Sequence, residues 1–169
     1  SANEFLTRVN LMHAERFPEY DTPVAKMNRV VVVGGGNVAM DAARTARRMG
    51  AQVTLVYRRR EEDLPVRAAE VHHAKEEGIE FITCANPIRI LGEQAVTGIE
   101  CIRMQMCNLD KSGRPIPEPI DNDTFTLDCD VVIQAIGQGP NPVLVSQIPG
   151  LDKGRAGNVV TEEDGRTSH

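Results

Sequence analysis

Arg29 to Val33 is a β-branched apolar run broken by Gly34-Gly35-Gly36, which predicts a buried strand stopped by a turn. Val38 to Met49 carries a helical period, and Gly50 follows as its C-cap. Gln52 to Tyr57 reads as a second strand and Arg58 to Leu64 as a charged loop. Pro65 is placed to start a helix running to about Glu77, capped by Gly78, and Ile79 to Thr83 is a third strand. Strand, helix, strand, helix, strand is the order of a parallel sheet with right-handed crossovers.

The pattern changes on either side of this core. Ser1-Ala2-Asn3-Glu4 has the spacing of a capping box, and Phe5, Val9 and Met12 continue a helix to about Ala14. A helix at the very first residue suggests a segment of something longer. Phe17-Pro18 to Pro23 reads as a linker. From Ile88 to Leu127 helical periodicity disappears. Thr97 to Asn108 and Thr124 to Leu127 read as strands, with a turn at Asp110-Lys111-Ser112-Gly113. Pro115, Pro117 and Pro119 alternate, which fits an edge strand and excludes a central one. This predicts an antiparallel meander inserted into the parallel sheet. Asp130 to Ile136 is apolar again, ends at Gly137, and is expected to rejoin that sheet. Gly150 to His169 is polar and shows no closing element.

Composition narrows the choice of function. The chain has 169 residues, 41% hydrophobic and 25% charged, as in an ordinary globular protein. The apolar run Val30 to Val33 is far too short to span a membrane, and Ser1 to Glu4 lacks the features of a signal peptide, so a cytoplasmic location is expected. A net charge of −5 argues against nucleic acid as a partner. Yet Arg44, Arg47, Arg48, Arg58, Arg59, Arg60 and Arg67 fall in one short stretch, an arrangement suited to a local anion. Cys84, Cys101, Cys107 and Cys129 form no C-x-x-C pair and no zinc spacing with histidine. They are expected to be buried, reduced thiols, which excludes a disulfide active site. His72-His73 are adjacent on a helix, face different ways and are expected at the surface. Met104 and Met106 alternate on a strand and read as packing.

The candidate chemistry lies in Gly34-Gly35-Gly36-Asn37-Val38-Ala39, which matches G-x-G-x-x-[GA]. Gly34 allows a sharp turn out of the strand, Gly36 lets backbone approach a diphosphate, and Ala39 lets the helix pack closely. The helix N-terminus offers free N–H groups and partial positive charge to phosphates. Asp41, near that first turn, reads as a structural carboxylate favoured by the helix dipole. No Asp or Glu ends the second strand, where a carboxylate holds the ribose in NAD sites; Val56-Tyr57 runs into Arg58-Arg59-Arg60 instead. Planar guanidinium groups suit a 2′-phosphate, so NADPH or NADP is the expected ligand, clamped by Arg58 and Arg59. Tyr57 or an arginine is expected to stack on the adenine. The competing reading is a solvated arginine run neutralised by Glu61, Glu62 and Asp63. The fold class is therefore α/β: a Rossmann-like three-layer domain with a parallel sheet and an inserted antiparallel β-meander.

Three segments carry a family resemblance: Val31-Val32-Val33-Gly34-Gly35-Gly36-Asn37-Val38-Ala39-Met40-Asp41-Ala42-Ala43-Arg44, then Val56-Tyr57-Arg58-Arg59 with Leu64-Pro65, then Ala135-Ile136-Gly137-Gln138-Gly139-Pro140-Asn141. In order and spacing they resemble the small (β) subunit of NADPH-dependent glutamate synthase, across about Ser1 to Ser168. Subunits of electron-bifurcating ferredoxin:NADP oxidoreductases and the N-terminal half of dihydropyrimidine dehydrogenase share the motifs. The resemblance implies an NADPH domain inserted into an FAD domain, hydride passing from NADPH to flavin, and electrons leaving through iron–sulfur clusters. The partner implied is a large glutamate synthase subunit or a ferredoxin-type protein. Gly137 and Gln138, after the last parallel strand, are expected on the nicotinamide side.

The chain departs from that pattern by lacking an FAD fingerprint and a cysteine cluster for iron–sulfur binding. Residues 1–28 are read as a helix and linker stub of a missing FAD domain, 29–149 as the NADPH-binding domain and 150–169 as a second linker stub. A self-contained dehydrogenase is disfavoured, because no Tyr-x-x-x-Lys pair or placed histidine supplies a general acid/base. A non-catalytic NADP(H)-sensing module is the remaining alternative.

Overall fold

The computed structural model describes residues 1–17, 19, 23–24, 26–110 and 113–168, leaving out the side chain of Leu144. The expected Phe17 to Pro23 linker and the turn through Lys111 and Ser112 lie partly outside the described residues, and His169 lies wholly outside. Two compact units are present, 1–136 and 137–169.

The first unit has three layers. Its centre is a parallel sheet of β1 (Arg29–Val33), β2 (Gln52–Val56), β3 (Glu80–Ile82) and β7 (Val131–Gln134), in the order β3-β2-β1-β7. Val30 and Val32 pack with α2 (Asn37–Arg48) through Ala39, Met40, Ala42, Ala43 and Ala46. Val31 and Val33 point the other way, into a second cluster with Val56, Ala85, Ile99, Cys101 and Cys129. Burial on both faces explains why β1 is apolar throughout rather than alternating. Each such valine contributes about 1.5–3 kcal/mol of burial.

The second cluster is roofed by an antiparallel sheet of β4 (Ala85–Leu91), β5 (Gly98–Leu109) and β6 (Pro115–Asp128), in that order. The meander is thus inserted in the chain between β3 and β7 but forms its own sheet and does not interrupt the parallel one. Cys84, with φ 50°, turns the chain off the parallel sheet, its N–H donating to Arg59 O and that of Ala85 to Tyr57 O. β6 is the edge strand expected from its prolines, pairing Pro115, Pro117 and Pro119 with β5 alone. It is one long strand that joins the proline segment and Thr124 to Leu127, which the sequence reads separately. β4 escaped the sequence reading because a register shift between Pro87 and Arg89 breaks its alternation.

Other boundaries also differ. α1 (Ala2–Leu6), capped by Ser1 Oγ accepting from Glu4 N at 3.3 Å, widens into a π-helical turn at Thr7–Leu11. His13, in the left-handed region at φ 51°, ends it before Ala14. α3 (Ala68–Glu76) starts after Arg67 rather than at Pro65. Leu64, extended at ψ 127° as a residue before proline must be, buries its side chain in the core, and the chain bends before the helix begins. The cysteines are free thiols, but only Cys101 and Cys129 are buried; Cys84 and Cys107 are half-buried, and Cys84 lies in a turn. His72 and His73 are exposed on α3.

The second unit contains α4 (Pro142–Ser146), with the Asn141 side chain accepting from Val143 N at 3.0 Å, and a single bridge between Lys153 and Val159. The helix was not anticipated, being only 5 residues long. Among the described residues no helix is long and apolar enough to cross a membrane.

Candidate dinucleotide site

Gly34 to Gly36 join β1 to α2 at the carboxyl edge of the parallel sheet. Gly34 has φ 136°, donates from its N–H to Val56 O at 3.0 Å, and lies so close to β7 that a Cβ would meet Ala135 O at 2.3 Å. A side chain fails there on both conformation and space. Gly35 is also required: a Cβ would lie 2.6 Å from both Leu64 and the Tyr57 ring. That close approach has no signal in the motif, which leaves this position free.

Gly36 is different. Its backbone is extended, with φ −87° and ψ 179°, and no protein atom lies within 4 Å of where a Cβ would be. It is the N-cap of a 12-residue helix and supplies no side-chain cap. The N–H groups of Gly36, Asn37 and Val38 meet no acceptor among the described residues. Asn37 and Val38 are exposed, whereas Ala39 is fully buried beneath them. An open backbone concavity with outward N–H groups fits a diphosphate by its donor chemistry.

The arginines separate into those held by protein and those left available. Arg44 pairs with Glu70 at 3.0 Å and with Glu77 at 2.9 Å, and Arg48 with Glu77 at 2.7 Å. The Arg48 hydrogen bond holds the Glu77 carboxyl below its usual range, with Arg44 adding to this against an opposing effect of burial. Arg47 donates to Glu77 O at 2.7 Å and Ala51 O at 3.1 Å. These three brace α2 against both ends of α3 and do not serve a local anion as one cluster with the others.

The charged loop after β2 contains a short 3-10 turn, Glu61–Asp63. Its acids are committed locally: Glu61 pairs with Lys75 at 2.6 Å, Glu62 with Arg60 at 3.6 Å, and Asp63 Oδ2 accepts from Arg60 N at 3.3 Å. Arg58 is exposed and makes no hydrogen bond or ion pair with the described residues, so the loop's acids do not neutralise it. Because Val33 and Val56 are paired in register, Arg58 leaves β2 at the same carboxyl edge of the sheet as the glycine turn leaves β1. Arg59 is 9% exposed and its Nε donates to Pro115 O at 2.8 Å. Tyr57 is 7% exposed; its ring lies against Gly35 and its hydroxyl donates to Asp63 O at 3.0 Å.

Arg67, noted in the sequence only as one basic residue among several, is exposed at the N-cap of α3 and makes no side-chain hydrogen bond or ion pair with the described residues. It borders a hollow of about 610 Å³ together with Asn37, Asp41 and Leu64. Its place near the first turn of α2 depends on the fold, so spacing alone did not single it out. Gly137 and Gln138 belong to the second unit; Gly137 has φ 91° and Gln138 is exposed.

Known proteins resemble this chain in sequence and fold. The family model described as pyridine nucleotide-disulphide oxidoreductase matches residues 2–169. The NADPH-Fe(3+) oxidoreductase subunit beta of Geobacter sulfurreducens is 43% identical over 143 residues, covering 83% of this chain and 21% of that protein. The glutamate synthase [NADPH] small chain of Azospirillum brasilense is 45% identical over 112 residues, covering 66% of this chain and 23% of that protein. The chain therefore spans between a fifth and a quarter of the length of these relatives. Thioredoxin reductase of T. acidophilum, at 23% identity, superposes with a TM-score of 0.66 over 83% of this chain and 41% of that one, a likeness of fold. With the glycine turn, the parallel sheet and these relatives in agreement, the chain belongs to the pyridine nucleotide-disulphide oxidoreductase family and is similar to glutamate synthase small chains within it.

Proposed function

We propose that this chain is the NADPH-binding part of a flavin-dependent, iron–sulfur-linked oxidoreductase resembling the glutamate synthase β subunit. One observation carries the reading: the open, uncapped start of α2 at Gly36 and Arg58, an arginine without a partner among the described residues, follow paired strands β1 and β2 at the same carboxyl edge of the sheet. The N–H groups of Gly36, Asn37 and Val38 receive the diphosphate, favoured by the helix dipole. Arg58 receives the adenosine 2′-phosphate, with Arg67 as a second cation. Tyr57 and Ala39 act from below, one supporting Gly35 and the other allowing α2 to lie close on β1. Arg59 supports the loop through Pro115.

When bound, NADPH supplies the hydride; the residues of this chain orient it and perform no proton transfer. A flavin held by sequence outside this chain is the acceptor, and a large glutamate synthase subunit or a ferredoxin-type protein is the partner downstream. The relatives' names include an NADPH-Fe(3+) oxidoreductase and an NADP(+)-dependent formate dehydrogenase as well as glutamate synthases, which supports the shared NADP(H) step more than any one terminal acceptor.

Calorimetric titration of the chain with NADPH and with NADH tests the reading. A preference of about tenfold for NADPH, roughly 1.4 kcal/mol, is expected from one phosphate held by guanidinium groups. Equal affinities would remove the phosphate clamp.

A further inference from the structure

The loop that carries Arg58 is tied to the inserted antiparallel sheet by two hydrogen bonds running in opposite directions. Arg59 Nε donates to Pro115 O at 2.8 Å, and Arg114 Nη2 donates to Asp63 O at 3.1 Å. Residues 114 and 115 stand where the chain enters β6, Arg114 being 51 positions from Asp63 in sequence. Asp63 O is a shared acceptor, because the Tyr57 hydroxyl donates to it at 3.0 Å and the Tyr57 ring supports Gly35. Arg59 O in turn accepts from Cys84 N at 2.9 Å. Arg114 is itself fixed at its backbone, its N–H donating to Asp110 Oδ1 at 3.0 Å. The hairpin therefore grips both ends of the loop, and the same carbonyl joins it to the floor of the glycine turn.

We propose that the tip of the β5–β6 hairpin sets dinucleotide selectivity, with Arg114 as a positioning residue that holds the Arg58 loop in the shape that receives the 2′-phosphate. This rests on the nucleotide reading given above. Arg114 does not touch the nucleotide. It acts by removing the ordering that a free loop undergoes on binding, and that contribution is felt by the ligand carrying a phosphate at the loop. The glycine turn keeps its own support without Arg114, because the Tyr57 hydroxyl still donates to Asp63 O, so NADH, which lacks the phosphate, is indifferent to it. The inserted sheet then has a task beyond covering Val31 and Val33.

The test is titration of the 169-residue chain and its variants with NADPH and NADH, with cooperative thermal unfolding as the folding control. Arg114→Ala is expected to weaken NADPH roughly fivefold and leave NADH unchanged. In an Arg58→Ala background, Arg114→Ala is expected to produce no further loss, because its effect passes through Arg58. If the alanine variant does not fold, Arg114→Met carries the same comparison, keeping the stem and removing the donors. A folded variant with undiminished NADPH preference overturns the proposal. Additive losses in the double variant also overturn it, since they would mean that Arg114 meets the phosphate itself. Equal binding of NADPH and NADH by the unaltered chain would overturn the nucleotide reading and this inference together, an outcome distinct from failure of the hairpin alone.

Discussion

Gly34 lies against Ala135 so closely that a Cβ on it would meet the Ala135 carbonyl oxygen at 2.3 Å, at a φ of 136°. Gly34→Ala is therefore expected to cost more than about 3 kcal/mol, combining strain and overlap with β7. Urea unfolding of the variant measures it, and a loss under about 1 kcal/mol would contradict the geometry. Gly36→Ala is the control. Its φ of −87° suits alanine and the space is open, so stability is expected to change by about 1 kcal/mol or less. Nucleotide affinity is expected to fall at least about tenfold, because the new methyl group enters the proposed diphosphate site.

Arg58 separates function from stability. It is exposed and unpartnered among the described residues, so Arg58→Ala is expected to leave the thermal midpoint within a degree or so of the parent. NADPH preference is expected to drop by about tenfold with NADH binding retained. Retained preference would shift the clamp to Arg67 alone.

Two carboxylates predict the acid limb of stability. Burial pushes the Asp130 carboxyl up, but the Asn28 and Arg29 backbone N–H groups that it accepts outweigh this and hold it below its usual range. Glu77 is held low mainly by Arg48. A depressed folded pKa means that the unfolded chain binds the proton first. The stabilisation is thus present above the ordinary carboxylate value near about 4 and disappears as pH falls through the lower folded values. Urea midpoints from pH 7 down to 3 are expected to fall less steeply in Glu77→Gln and Asp130→Asn than in the parent. Identical slopes would refute these assignments.

Burial raises the Cys101 thiol to about 11 and also raises Cys84 and Cys129. Cys107 is raised chiefly by its hydrogen bond with Glu118. Alkylation at pH 8 is expected to be slow in the folded chain, with Cys101 the most protected by both pKa and burial, and rapid for all four after unfolding. Mass spectrometry of the modified sites decides it; early labelling of Cys101 in the folded state would count against its placement in the core.

The sequence alone determined the local grammar of this protein. The all-apolar β1, the glycine turn and the return of the chain at Val131 were legible because strand burial and turn sterics act over a few residues. So were the edge prolines of β6, whose missing N–H groups bar them from a central position. Tertiary structure decided what seven clustered arginines do. Arg44, Arg47 and Arg48 are taken by Glu77, Glu70 and backbone carbonyls, Arg59 by Pro115 and Arg60 by Glu62, and Arg58 and Arg67 are left over. Apart from Ala51 and Glu62 these partners lie tens of residues away in sequence, and guanidinium groups look alike until a fold supplies or withholds their acceptors. The antiparallel meander was legible in the sequence, but that it forms a sheet of its own was not: which sheet a strand joins depends on the backbone groups it meets across space.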